Sequence, residues 1–406
     1  MNLWVFLAAL RVPHPGPQPH GNALPIPGAP LPPNSTLWER ILDSLNNLAI
    51  NNIWPTVLAL LACAAVAYWC WRRKRKQRRW YLWPLPLAIV AFLIAVGGGV
   101  NWHFGYYATA GDLFDSYNFP TGGEQLLTSH SGRYPAGVVV SARIPSPVSQ
   151  VGAQNAAIFL PPQYFTAPAN YKFPVVYLYP GVPGTELDWF TGGQAWQTGL
   201  AAAKAGKPVV FVSVNVAPSY GTDTECVNGL PGNWETYLAQ DVPTWIAKSS
   251  RTLTGAGANA TAGLSMGGYC AQMLAIRHPD LFGQSGNFSG TTLPTYDGGM
   301  EALFGPGPGL QQTVDSYNTN FLIQHEPESR SVDTWLEVGS SDDPLLIADQ
   351  KQFDANAAAL GMNTTFSEVP GAHEFYVWAQ CLKDWLPQAL STLDPPAPQP
   401  AGPNSP

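Results

Sequence analysis

Two uncharged apolar stretches set the first limit on what this chain can fold into. Residues 53–71, IWPTVLALLACAAVAYWCW, and 80–100, WYLWPLPLAIVAFLIAVGGGV, run for 19 and 21 positions without a charge. A helix of about 20 apolar residues crosses the roughly 30 Å hydrocarbon core of a bilayer, so each stretch is long enough to span one. Between them lies an octet carrying Arg72, Arg73, Lys74, Arg75, Lys76, Arg78 and Arg79. A basic run alone reads as a solvated face or a nuclear signal. Flanked by two spans, it reads as the positively charged cytoplasmic side of a membrane segment. Trp54, Trp69, Trp71, Trp80, Tyr81 and Trp83 fall near the span ends, where amphipathic rings favour the headgroup level. The expectation is a transmembrane hairpin over 51–101 with both flanks on the outer face. Two buried core helices of a soluble protein are the alternative, and they would have to carry seven cations on the turn between them.

Charge divides the chain at the same place. Residues 1–100 hold nine Lys and Arg against two Asp and Glu, and the remainder holds 11 against 25. The long acidic part is therefore expected outside the cell membrane. Charged residues are only 12% and hydrophobic ones 46%, which excludes a disordered polyelectrolyte and a basic nucleic-acid binder. The 40 prolines, about twice the usual share, argue against a long helical bundle. Residues 1–50 read as a Pro-rich lead followed by an amphipathic segment, with Trp38, Ile41, Leu42, Leu45 and Leu48 at helical spacing. The opening MNLWVFLAAL lacks a basic start and suits a short interfacial stretch better than a cleaved signal. Residues 102–130 form a linker, 131–393 the folded domain, and 394–406 a disordered Pro-rich tail. Cys63 and Cys70 lie in the first span as apolar filler. Cys226, Cys270 and Cys381 would face an oxidising compartment, where one disulfide and one free thiol can form. No Cys/His spacing suggests zinc and no Gly-rich segment has a phosphate-binding context, so neither metal nor cofactor is expected.

From about Ser131 short β-branched runs alternate with helical patterns. GVVVSARI, AAIFLPP, PVVYLYPG, PVVFVSVNV, ANATAGLS, TWLEVGS and TTFSEVP read as strands. Helices are expected over 194–205, 233–248, 266–277, 345–360 and 374–390. The alternation predicts an α/β fold with a mostly parallel sheet and helices on both faces. Unbroken apolar strands such as PVVFVSV suit a sheet covered on both sides.

The chemistry concentrates in ANATAGLSMGGYCAQMLAIRHP, residues 258–279. A strand-like run ends in Gly263-Leu264-Ser265-Met266-Gly267 and a helical pattern begins at once. In that context G-x-S-x-G marks a sharp strand-to-helix turn that exposes the Ser265 hydroxyl, with small residues on either side to avoid collision. A plain glycine-rich turn is the bland alternative. A serine hydroxyl needs a base to take its proton, and this fold orders its groups Ser, acid, His along the chain. His373, in a glycine-containing loop after the last expected strand, is the candidate base; His278 reads as a cap and His325 as a loop residue. The acid should end the strand before it, where Asp342 and Asp343 are adjacent. Asp343, next to Pro344, is the preferred acid and Asp342 the alternate, with the other capping the following helix. For the oxyanion, the N–H of Met266 is one expected donor and that of Val182 the other, with Gly184 behind it; Pro183 has no N–H to give.

LYPGVPGTELDW, GNWETYLAQDVPTW, GLSMGGYCAQMLAIRHPDLF and PGAHEFYVWAQCLKDWLP resemble the esterase D type of α/β-hydrolase and the actinobacterial branch that includes the secreted mycolyltransferases. The resemblance covers about 130–393, and the two spans before it resemble membrane-anchored members of that group. It implies an α/β-hydrolase fold and an acyl-enzyme at Ser265, resolved by water or by a sugar hydroxyl, acting on lipid or cell-envelope esters. Trp189, Phe190, Phe375, Tyr376 and Trp378 could line an acyl groove or belong to the core. A catalytically silent envelope binding protein and a thioesterase or peptidase on the same scaffold are the rival readings.

Overall fold

The computed structural model describes residues 37–393 apart from 47, 51, 77–81, 108–109, 111–122 and 133. The expected lead before residue 37 and the expected tail from 394 lie outside the described residues. The chain divides into two units, one built on the helices before residue 118 and one on the sheet that follows.

In the first unit, α1 (Leu37–Asn46) precedes two long helices, α2 (Trp54–Arg75) and α3 (Leu85–Phe104). Both long helices carry proline in their first turn, where the missing N–H costs nothing. They run antiparallel and side by side. Trp69 meets Trp83 edge-on at 5.7 Å between ring centroids, and Cys63 Sγ lies 3.4 Å from the Ala88 carbonyl. At the far end, a Cβ added to Gly98 would come 3.0 Å from Thr56 Oγ1, so the small residue lets the helices close up. The apolar side chains point outward. Among described residues only Ala59 is buried on α2, and Ala95 and Asn101 on α3, while Leu58, Leu61, Phe92 and Leu93 are each more than half exposed. Little of either helix is enclosed by the described residues, 6% of the most apolar window of α2 and 11% of that of α3. At the basic end, the guanidinium of Arg73 sits 4.5 Å from the Trp69 ring and that of Arg75 4.1 Å from the Trp71 ring.

The second unit is an α/β-hydrolase-like sandwich around eight strands. They are β1 (Val138–Ile144), β2 (Gln154–Leu160), β3 (Val175–Tyr179), β4 (Val210–Val214), β5 (Asn259–Leu264), β6 (Gln284–Phe288), β7 (Asp333–Gly339) and β8 (Thr364–Val369). Their order across the sheet is β1-β2-β4-β3-β5-β6-β7-β8. β2 pairs antiparallel with β1 and β4, and every other pairing is parallel. Every residue of β3, β4, β5 and β6 is buried, which is why β3, β4 and β5 read as apolar or small-residue runs without alternation; β6, with Gln284 and Asn287 buried in it, was not among the expected strands.

The covering helices include α4 (Ala195–Lys204), α5 (Val242–Ser249), α6 (Met266–Arg277), α7 (Thr319–His325), α8 (Pro344–Ala359) and α9 (Phe375–Thr392). α6 is buried from Gly267 to Ile276, apolar nearly all round, as suits a helix enclosed between the sheet and other elements. The helix expected over 233–248 runs without a gap from Trp234 to Ser249, but its middle, Tyr237–Asp241, is wound as a π segment before α5 begins. Pro243 has no N–H to return to the preceding turn, and the wider turn accommodates that loss.

Candidate active site

β5 ends at Leu264 and α6 starts at Met266, leaving Ser265 alone at the bend. Its backbone stands at φ 56 and ψ −128, a conformation an L-residue holds only when its surroundings impose it. The Ser265 N–H donates to Phe288 O at 2.9 Å and its carbonyl accepts from Gly268 N at 2.8 Å, so neighbouring elements hold the bend on both sides. The flanking glycines are steric necessities. A Cβ at Gly263 would lie 1.8 Å from Gly267 O, and one at Gly267 would lie 2.2 Å from Tyr179 O.

Ser265 Oγ lies 2.9 Å from His373 Nε2. On the other side of that imidazole, Nδ1 is 3.0 Å from Asp342 Oδ2 and 3.2 Å from Asp342 Oδ1. The expected partner, Asp343, is elsewhere: its Oδ1 accepts from Leu345 N at 2.8 Å as the N-cap of α8. The preference for Asp343 is therefore corrected to Asp342. Pro344 occupies the first turn of α8, which makes the residue before it the cap and spends its carboxylate on the helix.

Two loops meet to make this pairing. Ser340 N donates to Val369 O and Ser341 N to Gly371 O, each at 2.8 Å, tying the acid-bearing loop to the one that carries His373. The Asp342 side chain is 3% exposed and the His373 side chain 38%, so one end of the relay is sealed and the other faces solvent. Burial alone would raise the Asp342 carboxyl. The hydrogen bond and charge of His373 and the N–H of Asp343, 2.8 Å from Oδ1, outweigh it and hold the group below the ordinary carboxylate value. Trp378, in the first turn of α9, packs its ring edge-on to His373 at 4.9 Å.

The N–H of Met266, first in α6, has no intrahelical acceptor, and the helix dipole adds to its pull on negative charge. Val182 follows Gly181, whose added Cβ would come 3.1 Å from Ser265 Cβ, so the loop after β3 runs beside the serine. Of the proposed groove aromatics, Trp189 and Phe190 are fully buried and belong to the core. The other late histidines are remote in role. His278 Nε2 lies 3.0 Å from Glu235 Oε1, and His325 Nδ1 lies 2.8 Å from Phe321 O.

One disulfide and one free thiol were expected among Cys226, Cys270 and Cys381; the pairing, and the cluster around Glu235, carried no signal in the sequence. Cys226 and Cys270 form a disulfide with Cα atoms 5.6 Å apart, while Cys381 is a buried free thiol whose pKa burial and Glu337 push well up. Glu235, from the WETY stretch, gathers Arg277 at 2.7 Å, His278 at 3.0 Å and the Tyr317 hydroxyl at 2.7 Å. Burial alone would raise this carboxyl, but the hydrogen bonds of His278, Arg277 and Tyr317 lower it to about 2.

Set against known proteins, residues 152–389 match the Esterase family over more than half of the chain. The chain belongs to that family. It is 30% identical over 243 residues to an uncharacterised protein of Corynebacterium glutamicum, covering 58% of this chain and 57% of the relative. Against an esterase of Mycobacterium tuberculosis it is 28% identical over 245 residues, covering 54% of this chain and 52% of the relative. A diacylglycerol acyltransferase/mycolyltransferase of Mycobacterium avium is 27% identical over 193 residues, 39% of this chain and 56% of the relative. The chain thus spans little more than half the length of these curated relatives. In fold it is similar to a ferulic acid esterase, with TM-score 0.54 and 22% identity over 64% of this chain and 99% of that one. An S-formylglutathione hydrolase of Agrobacterium tumefaciens matches with TM-score 0.54 and 16% identity over 65% and 98%. These two likenesses carry the α/β-hydrolase fold.

Proposed function

We propose that this member of the Esterase family is a membrane-anchored serine esterase or acyltransferase that works through an acyl-enzyme on lipid or cell-envelope esters. The observation that carries the reading is the relay from Ser265 Oγ through His373 to Asp342, with links of 2.9 and 3.0 Å. His373 Nε2 is in position to take the Ser265 proton as Oγ attacks an ester carbonyl. Asp342 holds the imidazole and stabilises its protonated form. The N–H groups of Met266 and Val182 receive the charge that develops on the carbonyl oxygen. His373 then returns the proton to the leaving alcohol, which leaves an ester bond between Ser265 and the acyl group. Water or a second alcohol, deprotonated by His373, releases the acyl group and restores the serine.

Anchoring is supported by α2 and α3, whose apolar side chains face outward, and a cytoplasmic turn by the cations Arg72 to Lys76 that follow the first of them. The esterase unit then lies on the opposite side, where envelope esters are within reach. The relative named as a diacylglycerol acyltransferase/mycolyltransferase supports acyl transfer as one fate of the acyl-enzyme.

A fluorophosphonate probe tests the nucleophile: the full chain should be labelled and the Ser265→Ala variant should not. Equal labelling of both would overturn the assignment. Parallel assays with and without alcohol acceptors separate transfer from hydrolysis.

A further inference from the structure

We propose that the Cys226–Cys270 disulfide is a positioning element of the oxyanion site: it clamps Met266, and through it the N–H that receives the developing charge. The inference rests on the catalytic reading of Ser265. Cys270 stands four residues after Met266 on α6, so the two side chains share one helix face. Met266 Sδ lies 3.1 Å from Cys270 Sγ and 3.9 Å from Cys226 Sγ. Disulfide sulfurs carry no hydrogen, so neither approach is a hydrogen bond, and the thioether lies directly against the bridge.

The other side of the clamp is stiff. Glu225 and Cys226 hold left-handed backbones at φ 47 and 53. The Thr224 hydroxyl donates to Val216 O at 2.7 Å and accepts from Cys226 N at 3.2 Å, so the loop after β4 is pinned before the bridge begins. Methionine left alone would be the most adaptable side chain available for this position. Here a covalent link between two elements presses on it. The Ser265–Met266 peptide, whose carbonyl already accepts from Gly268 N at 2.8 Å, thereby gains a second restraint through the Met266 side chain. Both cysteines are 0% exposed, so a thiol in solution cannot reach the bond in the folded protein. The device is a permanent brace and not a redox switch.

Two variants of the full chain test it: the double replacement Cys226→Ala with Cys270→Ala, and Met266→Ala with the disulfide intact. Each is assayed for kcat and KM on a p-nitrophenyl ester, for affinity towards a boronic-acid transition-state analogue, and for melting temperature. A donor displaced from the developing charge lowers kcat about ten- to a hundredfold with KM nearly unchanged, and weakens the boronate in parallel. Met266→Leu, which refills the space against the bridge, should recover most of kcat. A fall in melting temperature with kcat and boronate affinity intact would mean that the bridge only stabilises, and would overturn the proposal. If the double variant does not fold, Met266→Ala decides by the same readouts. A wild-type chain that turns over no ester and takes no fluorophosphonate would overturn the catalytic reading itself, and the brace with it.

Discussion

Asp342 and Asp343 are consecutive residues with opposite employment: Oδ2 of the first lies 3.0 Å from His373 Nδ1, and Oδ1 of the second accepts the Leu345 N–H at 2.8 Å. Removing each carboxylate should therefore fail differently. Asp342→Asn should lower kcat about 10³- to 10⁴-fold while the melting temperature moves little. Asp343→Ala should keep kcat and cost about 1 kcal/mol of stability through the lost cap. The reverse pattern in paired kinetics and melts would return the acid to Asp343.

The steric seal at the bend predicts an intolerant glycine. A Cβ at Gly267 sits 2.2 Å from Tyr179 O, a backbone atom of a central strand that cannot give way. Gly267→Ala should cost more than about 4 kcal/mol. Soluble, active Gly267→Ala protein with wild-type thermal stability would show that the bend is not as tight as described.

Glu235 should make the fold acid-sensitive. Its pKa falls from the ordinary 4.5 to about 2 on folding, so the stability it adds is complete above about 4.5 and disappears as the pH drops towards 2. The shift is worth about 3 kcal/mol. In urea titrations at pH 6 and pH 3, Glu235→Gln should be less stable than wild type at the higher pH, and the gap should narrow at the lower. A gap independent of pH would contradict the linkage.

Glu225 behaves in the opposite sense. Burial, and then the neighbouring Asp223, push its carboxyl well above 4.5, so its contribution is favourable below that value and declines as the pH rises through the folded pKa. Glu225→Gln should be stabilising by about 1 kcal/mol at pH 8 and nearly neutral at pH 4.5. Melting curves at the two pH values check the sign.

The outward apolar faces of α2 and α3 predict that the full chain stays in the membrane pellet under alkaline carbonate. Deleting residues 54–104 should release it. Release of the intact chain would leave the anchor without support.

Sequence pattern alone marks β3, β4, β5 and α6, because burial on both faces turns each into an apolar or small-residue run; it misses β6, whose buried Gln284 and Asn287 bond to Asp333 and Gln272 and break the apolar pattern. The bend at Ser265 was legible for a related reason: glycines at 263 and 267 are needed only where backbone passes backbone. The choice between Asp342 and Asp343 was not legible from spacing, although Pro344 held the answer, since a proline opening a helix commits its predecessor to the cap. The π segment before α5 also traces to a single proline, Pro243, whose effect on the turn before it has no periodic signature. The pairing of Cys226 with Cys270 lay beyond any local signal. The partners are 44 residues apart and on different elements, and only the assembled sheet brings them together.

Sealing that bridge inside the unit has a consequence for how the protein is made. A bond that solvent cannot reach once the chain has closed must be forged while the chain is still open. The timing of oxidation relative to collapse then decides whether a newly made molecule is competent. Chains produced where thiols are kept reduced should accumulate as well-formed but sluggish enzyme, which later exposure to oxidant would not repair without first unfolding them.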